Sequence, residues 1–322
     1  MFVIIGTSTV DFFISGLDQI PSLGGDEFTS SNIAFCDEAL AMVPGGNGGN
    51  CAYALGKLGA AVRLCSAVGD DRLGRTLVEW QTAAGVDLTG LLRSQTSATS
   101  TTTVITDQAL NRLAFHHPGA TNIFSLNDIP ENVFNQAAVV LLTGYSLLPA
   151  WRPEGAAQAL DLARRNGTLT ALDIGPAIGN PVKLAEITPL LPQVDYFLCN
   201  AHELGASTGV DDLETGMARI LEAGAGWAII KLGPLGAAIR KAGSARSETV
   251  PGFKVEARFT VGAGDSFNAG FLFGLGQGWD VAQAVRFGNA TAALVVSAAR
   301  GVLGAPTRAQ VEALMRGIEI GD

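Results

Sequence analysis

The run Phe259-Thr260-Val261-Gly262-Ala263-Gly264-Asp265-Ser266-Phe267-Asn268-Ala269-Gly270 sets three small residues directly before an aspartate, at the predicted start of an apolar helix. Small residues let backbone N–H groups face an anion closely. A helix N-terminus adds partial positive charge at that point. A carboxylate beside such a nest can take a proton from a hydroxyl while the nest holds a migrating anionic group. Moving a phosphoryl group onto an alcohol needs those parts. Behind the aspartate, Phe267, Phe271 and Leu275 recur every four residues, so one helix face is expected to be buried and the N-terminus fixed. The plainer alternative is that Asp265 merely complements the helix dipole.

Outward from this stretch, short apolar runs alternate with helical patterns. Strands are predicted over 2–5, 62–68, 139–143, 169–174, 196–199, 227–231 and 237–240. Helices are predicted over 50–58, 75–84, 153–165, 213–223, 263–275, 281–299 and 308–317. Several of the strands are apolar on both faces, as central parallel strands are. The alternation argues for the α/β class, a doubly wound, mostly parallel sheet flanked by helices. Residues 11–43 and 95–117 break this rhythm with Ser, Thr and polar–apolar alternation, punctuated by Pro21 and Gly24-Gly25. They read as strand and hairpin material that forms a small β-sheet lid over one edge, or more plainly as surface loops. No repeat or linker divides the chain. Residues 1–322 are therefore expected as one domain, with lid segments at about 12–43 and 96–118 inserted in it.

The composition excludes several classes. A 322-residue chain that is 48% hydrophobic can bury a large core. The net charge of −9 argues against a nucleic-acid partner and against an anionic membrane surface. No apolar run is long enough to span a bilayer, and Met1-Phe2-Val3-Ile4-Ile5-Gly6 lacks the basic flank of a signal peptide. Cys36, Cys51, Cys65 and Cys199 lie far apart with no Cys-x-x-Cys pair, which suits a reducing, cytoplasmic setting better than a disulfide framework or a zinc site.

A second glycine cluster, Pro44-Gly45-Gly46-Asn47-Gly48-Gly49-Asn50, leads into a helix that ends Leu58-Gly59. Asn47 and Asn50 offer donors and acceptors to hydroxyl groups. Neither cluster is a Walker loop, and Gly6 stands alone after the first strand without a Gly-x-Gly-x-x-Gly turn. Taken together, the two clusters resemble the signatures of the ribokinase-like (PfkB) sugar kinase family. The resemblance extends over most of the chain. Gly6-Thr7-Ser8-Thr9-Val10-Asp11 is similar to the family's first strand and sugar-binding aspartate, and Gly69-Asp70-Asp71-Arg72-Leu73-Gly74 to its Gly-x-Asp-x-x-Gly turn. His117-Pro118-Gly119-Ala120-Thr121 resembles the return from its lid. Asn200-Ala201-His202-Glu203 matches Asn-x-x-Glu, and Lys231-Leu232-Gly233-Pro234-Leu235-Gly236 resembles its nucleotide loop.

The resemblance implies an ATP-dependent kinase with Mg²⁺ as cofactor. Asp265 would be the base, and Gly262, Ala263 and Gly264 the anion hole. Asn200 and Glu203 would hold Mg²⁺ through waters. Lys231, Gly233, Gly236 and Asn289 would line the nucleotide, and Asp11, Gly46, Asn47 and Asn50 would hold sugar hydroxyls. It also implies a homodimer formed through the lid. Plainer roles stand beside these. Glu203 can cap a helix, Asp11 a turn, Asn289 can bond backbone, and Lys231 can be a strand-edge residue. His116, His117 and His202 show no metal-ligand spacing, although His116 or His117 can reach a sugar from the lid.

Two departures bear on function. Phe259 stands where the family commonly has an aspartate for an activating monovalent cation, so strong K⁺ activation is not expected. Asp173-Ile174-Gly175-Pro176-Ala177 lacks the arginine of the family's Asp-x-Asn-x-Arg, which in 2-keto-3-deoxygluconate kinases helps bind the substrate carboxylate. A neutral sugar such as ribose or fructose is therefore favoured. Arg112 on the lid keeps a sugar acid open, and a nucleoside acceptor remains an alternative. A lyase or an inactive binding protein on the same fold are the rivals from other classes.

Overall fold

A computed structural model describes residues 1–20, 32–109, 111–298 and 300–318. The main sheet has nine strands. Its first is β1 (Phe2–Ile5), where Val3 and Ile5 point into one hydrophobic core and Phe2 and Ile4 into the other. That is why this strand reads as continuously apolar. The remaining core strands are β4 (Val62–Gly69), β5 (Asp87–Ser94), β8 (Val139–Thr143), β9 (Leu169–Asp173), β10 (Tyr196–Asn200), β11 (Trp227–Lys231), β12 (Ala237–Lys241) and β13 (Glu248–Val250). They lie in the order β13-β12-β11-β10-β9-β8-β1-β4-β5, parallel from β11 to β5 and antiparallel across β11–β12 and β12–β13.

The chain builds outward from β1 through β4 to β5, then returns to β8 and builds the other way. The winding therefore reverses between β1 and β8. In open α/β sheets a crevice forms outside the strand ends at such a point. Both loop systems that enter it are glycine-rich, and Gly6 and Gly48 approach so closely that a methyl on Gly6 would lie 2.8 Å from the Gly48 Cα.

The helices are α1 (Asn47–Lys57), α2 (Arg72–Ala83), α3 (Glu154–Arg165), α4 (Leu184–Ile187), α5 (Ala201–Thr208), α6 (Leu213–Glu222), α7 (Ala263–Gly276), α8 (Val281–Ser297) and α9 (Arg308–Met315). Their starts are specified locally: Asp71, Asp212, Asp280 and Thr307 each accept a first-turn backbone N–H. The helix expected over 281–299 ends at Ser297, and residue 299 lies outside the described residues. Four core elements were not anticipated: the short strand β13, the one-turn helix α4, β5 and α5. β5 is a half-exposed edge strand broken by Thr89 and Gly90, and α5 is a short helix of mixed polarity.

The lid is a separate four-stranded sheet in the order β3-β2-β6-β7, built from β2 (Thr9–Leu17), β3 (Ala41–Gly45), β6 (Ser100–Asp107) and β7 (Arg112–His117). β2 pairs parallel with β6, and β2–β3 and β6–β7 pair antiparallel. The sheet begins at Thr9, so Asp11 sits on a lid strand rather than at the end of the first core strand. Pro21 and Gly24-Gly25 lie outside the described residues, as does the side chain of Arg112.

Candidate active site

α7 is buried along nearly its whole circumference: every residue from Asp265 to Gly274 is buried, so the expected single apolar face is a corrected reading. The helix is wedged between the sheet, α1 and α8. Its crossing with α8 is close because Gly270 meets Gly288. A methyl on Gly270 would stand 2.8 Å from the Gly288 Cα and 2.5 Å from the Thr291 hydroxyl oxygen. Gly262 precedes the α7 N-terminus in the left-handed conformation, with φ 80°.

That N-terminus stands between two cavities. One, of about 920 Å³, is lined by Asp11, Gly46, Asn47, Asn50, Gly262 and Asp265, with Thr102 and His116 from the lid. The other, of about 630 Å³, is lined by Lys231, Gly233, Gly236, Ala263, Gly264 and Asn289. Twelve of the fourteen candidate residues thus fall on one or the other cavity. All four anticipated sugar-side residues share the first, and all four anticipated nucleotide-side residues share the second.

Asp265 accepts hydrogen bonds from Asn47 Nδ2 at 2.8 Å and Asn50 Nδ2 at 2.9 Å. Sequence reasoning gave these asparagines to sugar hydroxyls; here their amide nitrogens orient the carboxylate, and Asn50 Oδ1 is buried without a partner. Burial pushes the Asp265 carboxyl up to about 6, against the opposing pull of Asn50 and Asn47. Asp11 accepts from Thr9 Oγ1 at 2.7 Å, and burial raises its pKa too. His116, which the sequence reading allowed to reach a sugar from the lid, lines the first cavity from β7 and contacts Thr102 Oγ1 through Nδ1 at 3.1 Å.

In the second cavity, Gly236 adopts φ +97°, and a methyl there would lie 2.1 Å from the Val250 carbonyl oxygen. Only glycine lets this loop pass beneath 250–252. Asn289 Nδ2 donates to the carbonyls of Val250 and Pro251 at 3.0 and 3.1 Å, so it ties down the same strap that Gly236 passes. Lys231 is no strand-edge residue. Its Nζ lies 2.7 Å from Asp173 Oδ2, with side chains only 14% and 3% exposed.

Asn200 and Glu203 line neither cavity. They form a reciprocal cap on α5: Glu203 N–H donates to Asn200 Oδ1 at 2.8 Å, and Asn200 N–H to Glu203 Oε2 at 2.7 Å. Burial, helped by the Asp173 and Asp265 charges and opposed by Lys231, pushes the Glu203 carboxyl up to about 7. A buried carboxylate with an oxygen left over from the cap suits Mg²⁺ held through water. Among the described residues no three His, Cys, Asp or Glu side chains form a metal cluster.

The family model for pfkB family carbohydrate kinases matches residues 32–308. The chain belongs to the pfkB family of carbohydrate kinases. Members are phosphotransferases that act on hydroxyl groups, and the fold is the ribokinase-like α/β fold. Among relatives, a 5-dehydro-2-deoxygluconokinase of Clostridium perfringens is 27% identical over 79% of this chain and 78% of its own length. A nucleoside kinase of Methanothermobacter thermautotrophicus is 26% identical over 84% of each. Among solved structures, the Arabidopsis thaliana ribokinase complexed with ribose and ATP superposes with a TM-score of 0.83, at 22% identity over 98% of each chain. No helix among the described residues is long and apolar enough to cross a membrane.

Proposed function

We propose that this pfkB-family kinase moves the γ-phosphoryl group of ATP to a hydroxyl of a small neutral sugar. The observation that carries the reading is the placement of Asp265 and the Gly262–Gly264 turn at the junction of an acceptor cavity and a nucleotide cavity. An acceptor hydroxyl at Asp265 would stand in line with a triphosphate terminus held over the helix N-terminus. Asp265, oriented by two asparagine amides, takes the hydroxyl proton; the backbone amides of the turn receive the phosphoryl oxygens. A bound Mg²⁺ would supply charge neutralisation on the phosphates, and Asn200 and Glu203 would hold it through waters.

The preference for a neutral acceptor rests on charge. Arg152 is the permanent cation among the described residues lining the acceptor cavity, and it is committed to Glu186 by two contacts of 2.7 and 2.6 Å. Among the described residues no guanidinium is left over for a carboxylate; the side chain of Arg112 lies outside them and keeps a sugar acid open. The lid supplies the further proposal of a homodimer, since Phe35 (89% exposed), Leu40 (56%) and Phe115 (50%) crowd the lid region. The acidic surface and the unpaired thiols suit a cytoplasmic enzyme.

An ADP-release screen over pentoses, hexoses, sugar acids and nucleosides tests the function. Turnover with a neutral sugar is expected to exceed that with its acid. Asp265→Asn should lose about 10²- to 10⁴-fold in kcat while binding sugar and ATP nearly normally. Near-normal turnover in that variant removes Asp265 from the role of base, and no ADP with any acceptor favours the binding-protein or lyase rival.

A further inference from the structure

We propose that Lys231 is a catalytic residue, its ammonium neutralising charge on the transferred phosphoryl group, and that Asp173 is the positioning residue that aims it. This rests on the phosphoryl-transfer reading above and adds to it the cation that acts from within the protein.

Lys231 ends β11 and Asp173 ends β9, so the pair bridges over the end of β10 at the carboxyl edge of the sheet. Asn268 on α7 completes the cluster, donating Nδ2 to Asp173 Oδ2 at 2.6 Å while Lys231 Nζ reaches Asn268 Oδ1 at 3.4 Å. The ammonium therefore stands against the first turns of α7. A methyl built on Gly264 would lie 3.5 Å from Nζ. Lys231 and Gly264 line the same nucleotide cavity. An ammonium has three donors, and Asp173 and Asn268 use two, which leaves one for the cavity.

The charge around it points the same way. Asp173, Glu203 and Asp265 all act on Lys231, and they hold its pKa up against the opposing effect of burial. Three carboxylates against one ammonium is a poor setting for an incoming triphosphate. Without Lys231 the terminal phosphoryl would meet mainly negative charge at depth. Lys254, the other lysine lining the cavity, is exposed at its rim. A buried ion pair contributes little net stability over apolar replacements, so stability alone is a weak reason to keep one beside an anion site.

In the reaction the acceptor oxygen bonds to the γ-phosphorus as the bond from that phosphorus to the β-bridging oxygen breaks. The electron pair leaves with ADP and the proton passes to Asp265. Lys231 gains and loses no proton; it donates a hydrogen bond to an oxygen whose charge grows on the way to the transition state.

Lys231→Met, Asp173→Asn and the double variant separate catalysis from structure. Steady-state kinetics, thermal unfolding and ATP calorimetry are measured on each. Lys231→Met should lower kcat roughly 10²- to 10³-fold, with a much smaller change in sugar KM. Asp173→Asn, which keeps the ammonium, should lose less than about tenfold in kcat. The double variant removes both charges, so it should recover much of the melting temperature lost in Lys231→Met without recovering kcat. Turnover in Lys231→Met near that of wild type overturns the proposal, and so does a double variant that regains kcat together with stability. A wild-type enzyme that binds no ATP overturns this inference and the phosphoryl-transfer reading together; a wild type that turns over beside an equally active Lys231→Met overturns this one alone.

Discussion

At the scale of the residue, the site turns on how a buried carboxylate stays useful. Asp265 is deprived of water, which favours its neutral form, yet two amide nitrogens hold it ready. Its pKa of about 6 lies above the ordinary carboxylate value and below neutral pH, so the proposed base is mostly ionised at pH 7. The sign follows directly. Protonation disables a base, so kcat/KM should be flat near neutrality and fall about tenfold per pH unit below a midpoint near 6. A profile flat to pH 4.5 would contradict the burial of this group. Glu203 should matter for metal rather than for sugar. Glu203→Gln is expected to raise the Mg²⁺ concentration for half-maximal rate while leaving sugar KM nearly unchanged, checked by Mg²⁺ titration. Asp265, the small-residue turn and both asparagines were legible in the sequence because each lies in a short local motif. The bonds between them were not: Asn47 and Asn50 reach Asp265 across 218 and 215 residues. The Lys231–Asp173 pair, 58 residues apart, was hidden for the same reason.

At the scale of the element, the loop before α7 connects the Gly262–Gly264 turn to the lid. Phe259 packs edge-to-face on Phe13 of β2, with ring centroids 4.6 Å apart, and its ring fills the space over Gly301, where a methyl would lie 2.5 Å from it. The backbone N–H groups of Arg258 and Phe259 both donate to the Val296 carbonyl. A phenyl ring brings no ligand oxygen to this loop, and apolar packing fixes it instead. Rates in Na⁺ and K⁺ should therefore be similar at equal ionic strength, whereas a many-fold rise specific to K⁺ would show that the loop binds a cation after all. Strands such as β1, β8 and β11 were legible to the residue, being apolar on both faces. β5 escaped because it lies at the sheet edge, half exposed, with Asp87 paired to Arg63. The burial of α7 all round also escaped, since it depends on the glycine contact with a helix later in the chain.

At the scale of the whole molecule, the reversal between β1 and β8 opens the crevice, the lid roofs one side of it, and α7 divides it in two. The doubly wound, mostly parallel sheet followed from the alternation of strand and helix, but the order of its strands needed the structure; the lid followed only as a polar interruption, and its parallel β2–β6 pairing needed the structure too. The exposed Phe35, Leu40 and Phe115 predict a dimer in analytical ultracentrifugation, with Phe115→Asp shifting it toward monomer. A wild-type monomer at all accessible concentrations would refute the lid interface. The most direct test of the whole account is a crystal structure with a nonhydrolysable ATP analogue and an acceptor sugar. The account predicts the terminal phosphorus over the Gly262–Gly264 amides and one sugar hydroxyl hydrogen-bonded to Asp265, on opposite sides of the α7 N-terminus. A triphosphate terminus lying away from that turn, or a sugar with no hydroxyl near Asp265, would contradict it.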